Sequence, residues 1–104
     1  MTIALVQHAV SPASTPRLDR GVRAVQAAAD AGADLVVFPE LSFTPFYPRV
    51  PVAERDRSAL DLAEPVPGPT TEALAEAAAD GGVVVVFNLM ERAGERTFDT
   101  SPVL

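Results

Sequence analysis

Hydrophobic residues along the chain form short continuous runs that alternate with segments of helical spacing. The runs at residues 2–8, 34–38 and 83–87 stop at polar residues or proline, and we predict that each is a buried strand. Apolar residues at helical spacing predict one helix that opens at Thr15 and stops at Gly32, and another from Thr70 or Thr71 to Gly81 and Gly82. Residues 97–104 are a weaker fourth strand.

The order of these elements predicts an α/β fold with a largely parallel sheet. Two strand-helix-strand crossovers join neighbouring strands in the same direction, giving the order β-α-β-α-β-β. The strand runs are apolar on both faces, which is typical of a sheet covered on both sides. One pair of helices cannot easily cover both faces. We therefore expect that more chain or a partner supplies further layers, or that apolar surface of the sheet stays exposed to water.

A long proline-rich segment, residues 41–69, interrupts the regular pattern. Its charged stretch at residues 54–57 could form one short exposed helix. A loop of this length usually covers a site. Polar residues at the borders of this segment are therefore candidates for a site.

Glu40 is the strongest candidate, because it follows a predicted strand and sites in α/β sheets lie outside the carboxyl ends of strands. Gln7 and His8 end the first strand and Asn88 follows the third, so these groups are expected on the same rim, with Glu91 slightly further on. Apolar neighbours would partly desolvate Glu40 and raise its proton affinity. On the residues alone, a solvated loop or helix-capping glutamate is equally compatible.

Other side chains also have two readings. Phe43, Phe46 and Tyr47 could wall a substrate pocket or pin the long loop to the sheet, and both can hold at once. Glu91, taken alone, is the first charge of an exposed turn at residues 91–96. His8 is the only histidine and gives no metal-site pattern.

Composition excludes several classes of function. The net charge of -6 and pI near 4.5 disfavour nucleic acid and anionic membrane as partners. The apolar start is far below signal or membrane-span length, so a cytoplasmic protein is the default. All 8 basic residues are arginines and cysteine is absent, while the 6 glycines form no dinucleotide or phosphate motif. We predict no metal and no cofactor.

The sequence FPEL at residues 38–41, entered from GADLVV at residues 32–37, resembles the first catalytic motif of the nitrilase superfamily of carbon-nitrogen hydrolases. Residues 3–7 resemble the family's first strand, residues 67–70 the entry to its second helix, and residues 91–92 with 97–100 its following hairpin. The resemblance implies the N-terminal portion of a four-layer α-β-β-α sandwich. Such sandwiches are often paired through their helices, which makes a homo-oligomer possible.

The resemblance also implies a Glu-Lys-Cys triad, in which Glu40 is the general base toward the cysteine and a lysine stabilises the oxyanion. Only Glu40 maps onto that triad here, since the chain has neither lysine nor cysteine. We therefore expect residues 1–104 to be a fragment, a partial carbon-nitrogen hydrolase domain truncated at its C-terminal side and inactive alone. The alternative is a non-catalytic remnant that serves as a folding or association module.

Within the superfamily, TPFYPR at residues 44–49 and FNL at residues 87–89 look most like the branch that hydrolyses N-carbamoyl amino acids and related ureido compounds. This implies a small amide or ureido substrate. The candidates for its pocket, or for support of Glu40, are Phe46, Tyr47, Asn88 and Glu91. The chain departs from the family at two of its positions: Asp99 stands where asparagine is usual, and Asn88 where many members have glycine.

Overall fold

The computed structural model describes residues 1–8, 15–55 and 58–104. Five strands and three α-helices follow one another, with two short 3-10 turns between the second strand and the second helix. They are β1 (Ile3–Leu5), α1 (Thr15–Asp30), β2 (Leu35–Val37), 3-10 turns Tyr47–Arg49 and Val52–Glu54, α2 (Ala59–Leu62), α3 (Pro69–Gly81), β3 (Val84–Val86), β4 (Leu89–Ala93) and β5 (Arg96–Thr100).

Strands β1, β2 and β3 form a parallel sheet in sequence order. Ile3 pairs with Leu35, which pairs with Val84, and the register continues by single residues along all three strands. The predicted pair of crossovers and the parallel sheet are therefore confirmed. Backbone bonds extend the ladder beyond the strands, as when the Phe38 N-H donates to the Val86 carbonyl oxygen at 2.9 Å.

The predicted fourth strand at residues 97–104 is wrong as one element, because the chain turns out of one sheet and back to the other. β4 and β5 pair antiparallel as a separate hairpin, turned at Gly94, whose φ is +66°. Residues 102–104 then return to the outer edge of β3, where Leu104 and Val85 exchange two backbone hydrogen bonds of 2.9 and 3.0 Å.

Both long helices lie on one face of the three-stranded sheet. Since β1, β2 and β3 are laid down in order, right-handed crossovers place α1 and α3 on the same side. The core lies between these layers, where Val25 and Leu74 from the helices meet Val36 and Val85 from the sheet. Removing such aliphatic side chains from water is the main stabilising contribution.

The opposite face of the sheet is largely open. The prediction of strands buried on both faces is wrong at Ile3, Leu5 and Val84, whose side chains are exposed, by 74% at Leu5. Alternate residues of a strand point to opposite faces, so the same strands bury Val36 and Val85 under the helices. Two helices on one side cover one face only, in agreement with the expectation that the sheet needs a further layer or leaves apolar surface in water.

Glycines end both long helices, as the sequence predicts. Gly82 adopts the left-handed conformation after α3, and its N-H reaches the carbonyl oxygens of Ala78 and Ala79. Gly32, with φ of +82°, follows α1. Left-handed backbone is accessible to glycine without a steric cost, which explains the repeated use of this residue.

Part of the long segment is ordered into elements that the pattern does not predict. Helix α2 opens with a capping box in which Ser58 and Asp61 exchange hydrogen bonds between side chain and backbone. The helix predicted at residues 54–57 falls partly on residues 56 and 57, which lie outside the described residues. In the part of the chain that the structure describes, no helix has the length and apolarity needed to cross a bilayer.

Candidate functional site

Glu40 lies in the turn that leaves the carboxyl end of β2. Its side chain is exposed, whereas the sequence predicts partial desolvation. The reason is the way the turn packs: the three residues that follow, Leu41, Ser42 and Phe43, are all buried and hold the turn to the protein, while Pro39 and Glu40 remain on the solvent side. The carboxylate thus stands free on an anchored piece of backbone.

Leu41 is the first anchor of this turn. It has a φ of +48°, in the left-handed region that costs an ordinary residue about 1–2 kcal/mol. Its side chain is only 3% exposed and forms a second small core with Ala63 and Met90. Its N-H donates to Oδ1 of Asn88 at 2.9 Å. Burial and this hydrogen bond together offset the strained conformation.

Ser42 and His8 are a second anchor. The Ser42 hydroxyl donates to the Pro39 carbonyl oxygen and closes the turn around Glu40. Nε2 of His8 lies 3.2 Å from the Ser42 carbonyl oxygen, a hydrogen bond when that nitrogen carries the proton. His8 follows β1, so the turn after β2 is tied to the end of the neighbouring strand.

Four aromatic rings form a layer beneath the turn. His8, Phe38 and Phe87 each follow one of the three parallel strands, and Phe43 comes from the loop. The Phe43 centroid lies 6.2, 5.3 and 5.9 Å from those of His8, Phe38 and Phe87. Tilted and edge-to-face rings at these separations attract one another. Phe43 therefore pins the long loop to the sheet.

Helix α1 supports the same loop from its other side. Arg17 is buried, and its Nη1 lies 3.5 Å from the Phe43 carbonyl oxygen, the limit of a hydrogen bond. Burial, followed by repulsion from Arg20, lowers the pKa of Arg17. Gly21 is buried under the Phe43 ring. Sequence reasoning missed Arg17, Gly21 and Ser42, although a glycine inside a helical pattern is a signal for close packing.

Asn88 connects the Glu40 turn to the β4-β5 hairpin. While Oδ1 accepts from Leu41, Nδ2 donates to Oδ1 of Asp99 at 2.5 Å and to Oγ of Ser101 at 3.1 Å. The structure thus brings His8 and Asn88 to the same turn, from the ends of the two strands that flank β2.

The other three candidates occupy different surroundings. Glu91 bonds within the hairpin, where its Oε2 accepts from the Thr100 hydroxyl at 2.6 Å. Tyr47 is half-buried against the small core that contains Leu41, with the Arg55 guanidinium 4.8 Å from its ring centroid. Phe46 is exposed at the surface. Their roles in a site stay predictions.

The turn presents one exposed carboxylate, that of Glu40, at the carboxyl edge of the parallel sheet. The backbone of that turn is held by its buried neighbours and by the hydrogen bond from Leu41 to Asn88. Across residues 1–8, 15–55 and 58–104, no three histidine, aspartate or glutamate side chains are grouped so that they could hold a metal ion. The full sequence contains no cysteine and no lysine.

Comparison with known proteins identifies the family of this chain. The family model for carbon-nitrogen hydrolase matches residues 2–104. A nitrilase from Paraburkholderia phymatum is 41% identical over 93 residues, which cover 83% of this chain and 27% of the relative. Omega-amidase NIT2 from Xenopus tropicalis is 30% identical over 84 residues, which cover 81% of this chain and 28% of that protein.

Solved structures agree with this assignment. The crystal structure of an amidase from Nesterenkonia sp. superposes with a TM-score of 0.66 at 28% identity, covering 97% of this chain and 36% of the amidase. A cysteine-to-alanine mutant of the amidase from Nesterenkonia sp. AN1, in complex with butyramide, gives 0.68 at 27% identity, covering 97% of this chain and 37% of the mutant. The chain thus spans well under half the length of each protein compared. This chain therefore belongs to the carbon-nitrogen hydrolase family of the nitrilase superfamily, as the family match along residues 2–104, the two relatives and the mixed α/β fold show.

Proposed function

We propose that Glu40 is the general base of an amide-hydrolysing site to which this chain contributes one wall. The observation that carries the proposal is the position of Glu40: an accessible carboxylate on an anchored turn at the carboxyl edge of a parallel sheet, in a carbon-nitrogen hydrolase chain. Ligands of open α/β sheets bind at this edge. The anchors at Leu41 and Ser42 are buried, so they hold the turn without occupying the side of Glu40 that faces solvent.

The proposed reaction needs two groups from outside these 104 residues. Glu40 takes the proton of a cysteine thiol, and the thiolate attacks the carbon of an amide or ureido group while a lysine stabilises the oxyanion. Glu40 returns that proton to the leaving amine, and water then releases the acyl or carbamoyl group from sulfur as the corresponding acid. Since the chain has neither cysteine nor lysine, it is inactive by itself.

The proposed substrates are N-carbamoyl amino acids and other small amide or ureido compounds. Support comes from the segment at residues 44–49 and from residues 87–89, which resemble the carbamoylase branch. Residues 44–49 include Phe46, exposed just beyond the turn, and Tyr47, packed beside Leu41. The exposed ring of Phe46 and the half-buried ring of Tyr47 can contact the apolar part of a substrate.

A mutational test uses the product of the complete reading frame. Glu40→Gln removes the base but keeps the size of the side chain, and we expect amide hydrolysis to fall about 10²- to 10⁴-fold. Glu40→Asp should retain more activity than Glu40→Gln. Glu95→Gln, at an exposed residue between β4 and β5, is the matched control and should leave activity unchanged. Full activity in the Glu40→Gln protein contradicts the proposal.

The substrate class is tested by comparing kcat/KM for an N-carbamoyl amino acid with that for an unsubstituted aliphatic amide of similar size. The carbamoylase assignment predicts a higher value for the N-carbamoyl compound. A preference for the simple amide places the enzyme in another amidase branch and leaves the role of Glu40 intact.

A non-catalytic folding or association module is the second candidate, and the open apolar face of the sheet favours it. Such a face could bind another protein surface without any chemistry. The DNA that follows the codon of Leu104 distinguishes the two functions. The enzyme requires a lysine on a strand and a cysteine at a strand-to-helix turn, whereas a frame that supplies neither supports the module.

A further inference from the structure

We propose that Asn88 and Asp99 are a coupled positioning pair that sets the conformation of the turn bearing Glu40. The pair itself is inferred from hydrogen-bond geometry. Its importance for catalysis rests on the proposed function of Glu40. Both side chains act through the backbone of Leu41 and not through a contact with the Glu40 carboxylate.

The contacts of Asn88 use both ends of its amide. Its oxygen accepts from the N-H of Leu41, and its nitrogen donates to Asp99 and Ser101. An ionised carboxylate can only accept hydrogen bonds. Asp99 therefore binds the NH₂ end of the Asn88 amide, and this directs the amide oxygen toward Leu41. The Ser101 hydroxyl can donate or accept, so it cannot fix the orientation of the amide by itself.

The bond to Leu41 acts directly on Glu40, because the N-H belongs to the peptide group that joins the two residues. Holding that peptide plane restricts ψ of Glu40 and φ of Leu41 together. Leu41 has a positive φ, which an ordinary residue adopts only when its surroundings impose it. Burial of its side chain supplies one constraint, and Asn88 supplies the second.

The two departures from the family pattern noted in the sequence thus meet in space. Asn88 and Asp99 are 11 residues apart in the chain and 2.5 Å apart between Nδ2 and Oδ1. A carboxylate at position 99 requires a donor, and an amide at position 88 provides one. The pairing gives each of these two polar side chains a partner.

A polarity swap tests the pair in the 104-residue chain. Asn88→Asp keeps an acceptor for Leu41 but sets two carboxylates against each other. Asp99→Asn places an amide, which can donate or accept, opposite Asn88 and should lower protection of Leu41 by less than Asn88→Asp does. The double variant Asn88→Asp with Asp99→Asn restores a donor opposite a carboxylate. The readout is hydrogen exchange of the Leu41 amide by NMR, compared with the Val85 amide, which bonds to Leu104 at the outer edge of β3 and is the reference outside the turn.

We expect Asn88→Asp to lower protection of Leu41 about five- to tenfold relative to Val85, because repulsion from the Asp99 carboxylate moves the acceptor away from the Leu41 N-H and a hydrogen bond is worth about 1 kcal/mol. The double variant should return to within about threefold of the original chain. Ser101→Ala is the control for the second contact of Nδ2 and should have a smaller effect, since Asp99 remains. If Asn88→Asp does not fold, Asn88→Ala is measured instead and should expose Leu41 in the same selective way.

Three results would overturn the inference. They are unchanged protection of Leu41 in Asn88→Asp or Asn88→Ala, an equal loss at Leu41 and Val85, and a double variant no better than Asn88→Asp. None of these measurements involves catalysis. A failed swap therefore counts against the pair, whereas an active Glu40→Gln enzyme counts against the proposed function.

Discussion

Gly21 of α1 lies against the ring of Phe43, so closely that a Cβ on the glycine would overlap Cε1. Glycine in a helix interior costs about 1 kcal/mol relative to alanine, and here that cost permits the loop to approach the helix. The Phe43 ring in turn packs on the aromatic layer at the strand ends. Helix α1, the loop and the sheet are therefore packed together directly beneath the Glu40 turn.

Gly21→Ala should destabilise the chain by about 1–3 kcal/mol, because the added methyl group overpacks the contact with Phe43. Urea unfolding followed by circular dichroism measures the change. Ala27→Gly, at an exposed position of the same helix, is the matched control for helix propensity and should cost about 1 kcal/mol. A Gly21→Ala chain more stable than the original would show that the ring moves aside freely.

Val84 and Val85 are neighbours in β3 that face opposite sides of the sheet, with exposed fractions of 44% and 0%. Val84→Thr should change the unfolding free energy by less than about 0.5 kcal/mol and reduce ANS binding or self-association. Val85→Thr buries a hydroxyl in the core and should cost about 1–3 kcal/mol. Denaturation and sedimentation velocity provide the two measurements. Equal destabilisation by both substitutions would mean that the second face is covered in solution.

Glu64 caps α3 from outside the helix. Gly68, at the N-cap, has no side chain to offer, and the Glu64 carboxylate accepts from the N-H and hydroxyl of Thr70 at 2.9 and 2.8 Å. Glu64→Ala should therefore cost about 1–2 kcal/mol in urea unfolding. Glu76→Ala, an exposed position of the same helix, should be close to neutral. A neutral Glu64→Ala variant would contradict the capping role.

Glu40→Gln should leave the stability of the 104-residue chain unchanged within about 0.5 kcal/mol, because the side chain is exposed. Ser42→Ala, in the same turn, removes a buried hydroxyl that bonds to the Pro39 carbonyl oxygen and should cost about 1 kcal/mol. Parallel thermal melts compare the two variants. A large loss of stability from Glu40→Gln would indicate a structural rather than a catalytic role.

Much of the fold follows from local pattern. The three apolar runs, the helix exits at Gly32 and Gly82, and the crossovers between parallel strands are all readable from spacing and residue type, and the structure contains each of them. The hairpin expected from the family resemblance at residues 91–92 and 97–100 is present, but local pattern gave residues 97–104 as one strand, whereas they divide between two sheets. Short strands of this kind depend on which edge is free to pair.

The position of Glu40 after the second strand was also readable, but its surroundings were not. The predicted desolvation assumed that the apolar residues around it would cover it. Instead Leu41 and Phe43 turn into two separate clusters and leave the carboxylate exposed. The side of a turn that a residue faces depends on backbone dihedrals, such as the positive φ of Leu41. A leucine in the sequence does not indicate a positive φ.

The sequence by itself determined the three parallel strands, the two long helices between them and the place of Glu40 at the edge of the sheet, because hydrophobic spacing and helix-ending glycines act within a few residues. Only the tertiary structure decided how that edge is built. The bonds from His8 to Ser42 and from Leu41 to Asn88 join residues 34 and 47 positions apart, and the helices leave one sheet face open. Contacts over such separations form when packed elements meet, so no local pattern specifies them.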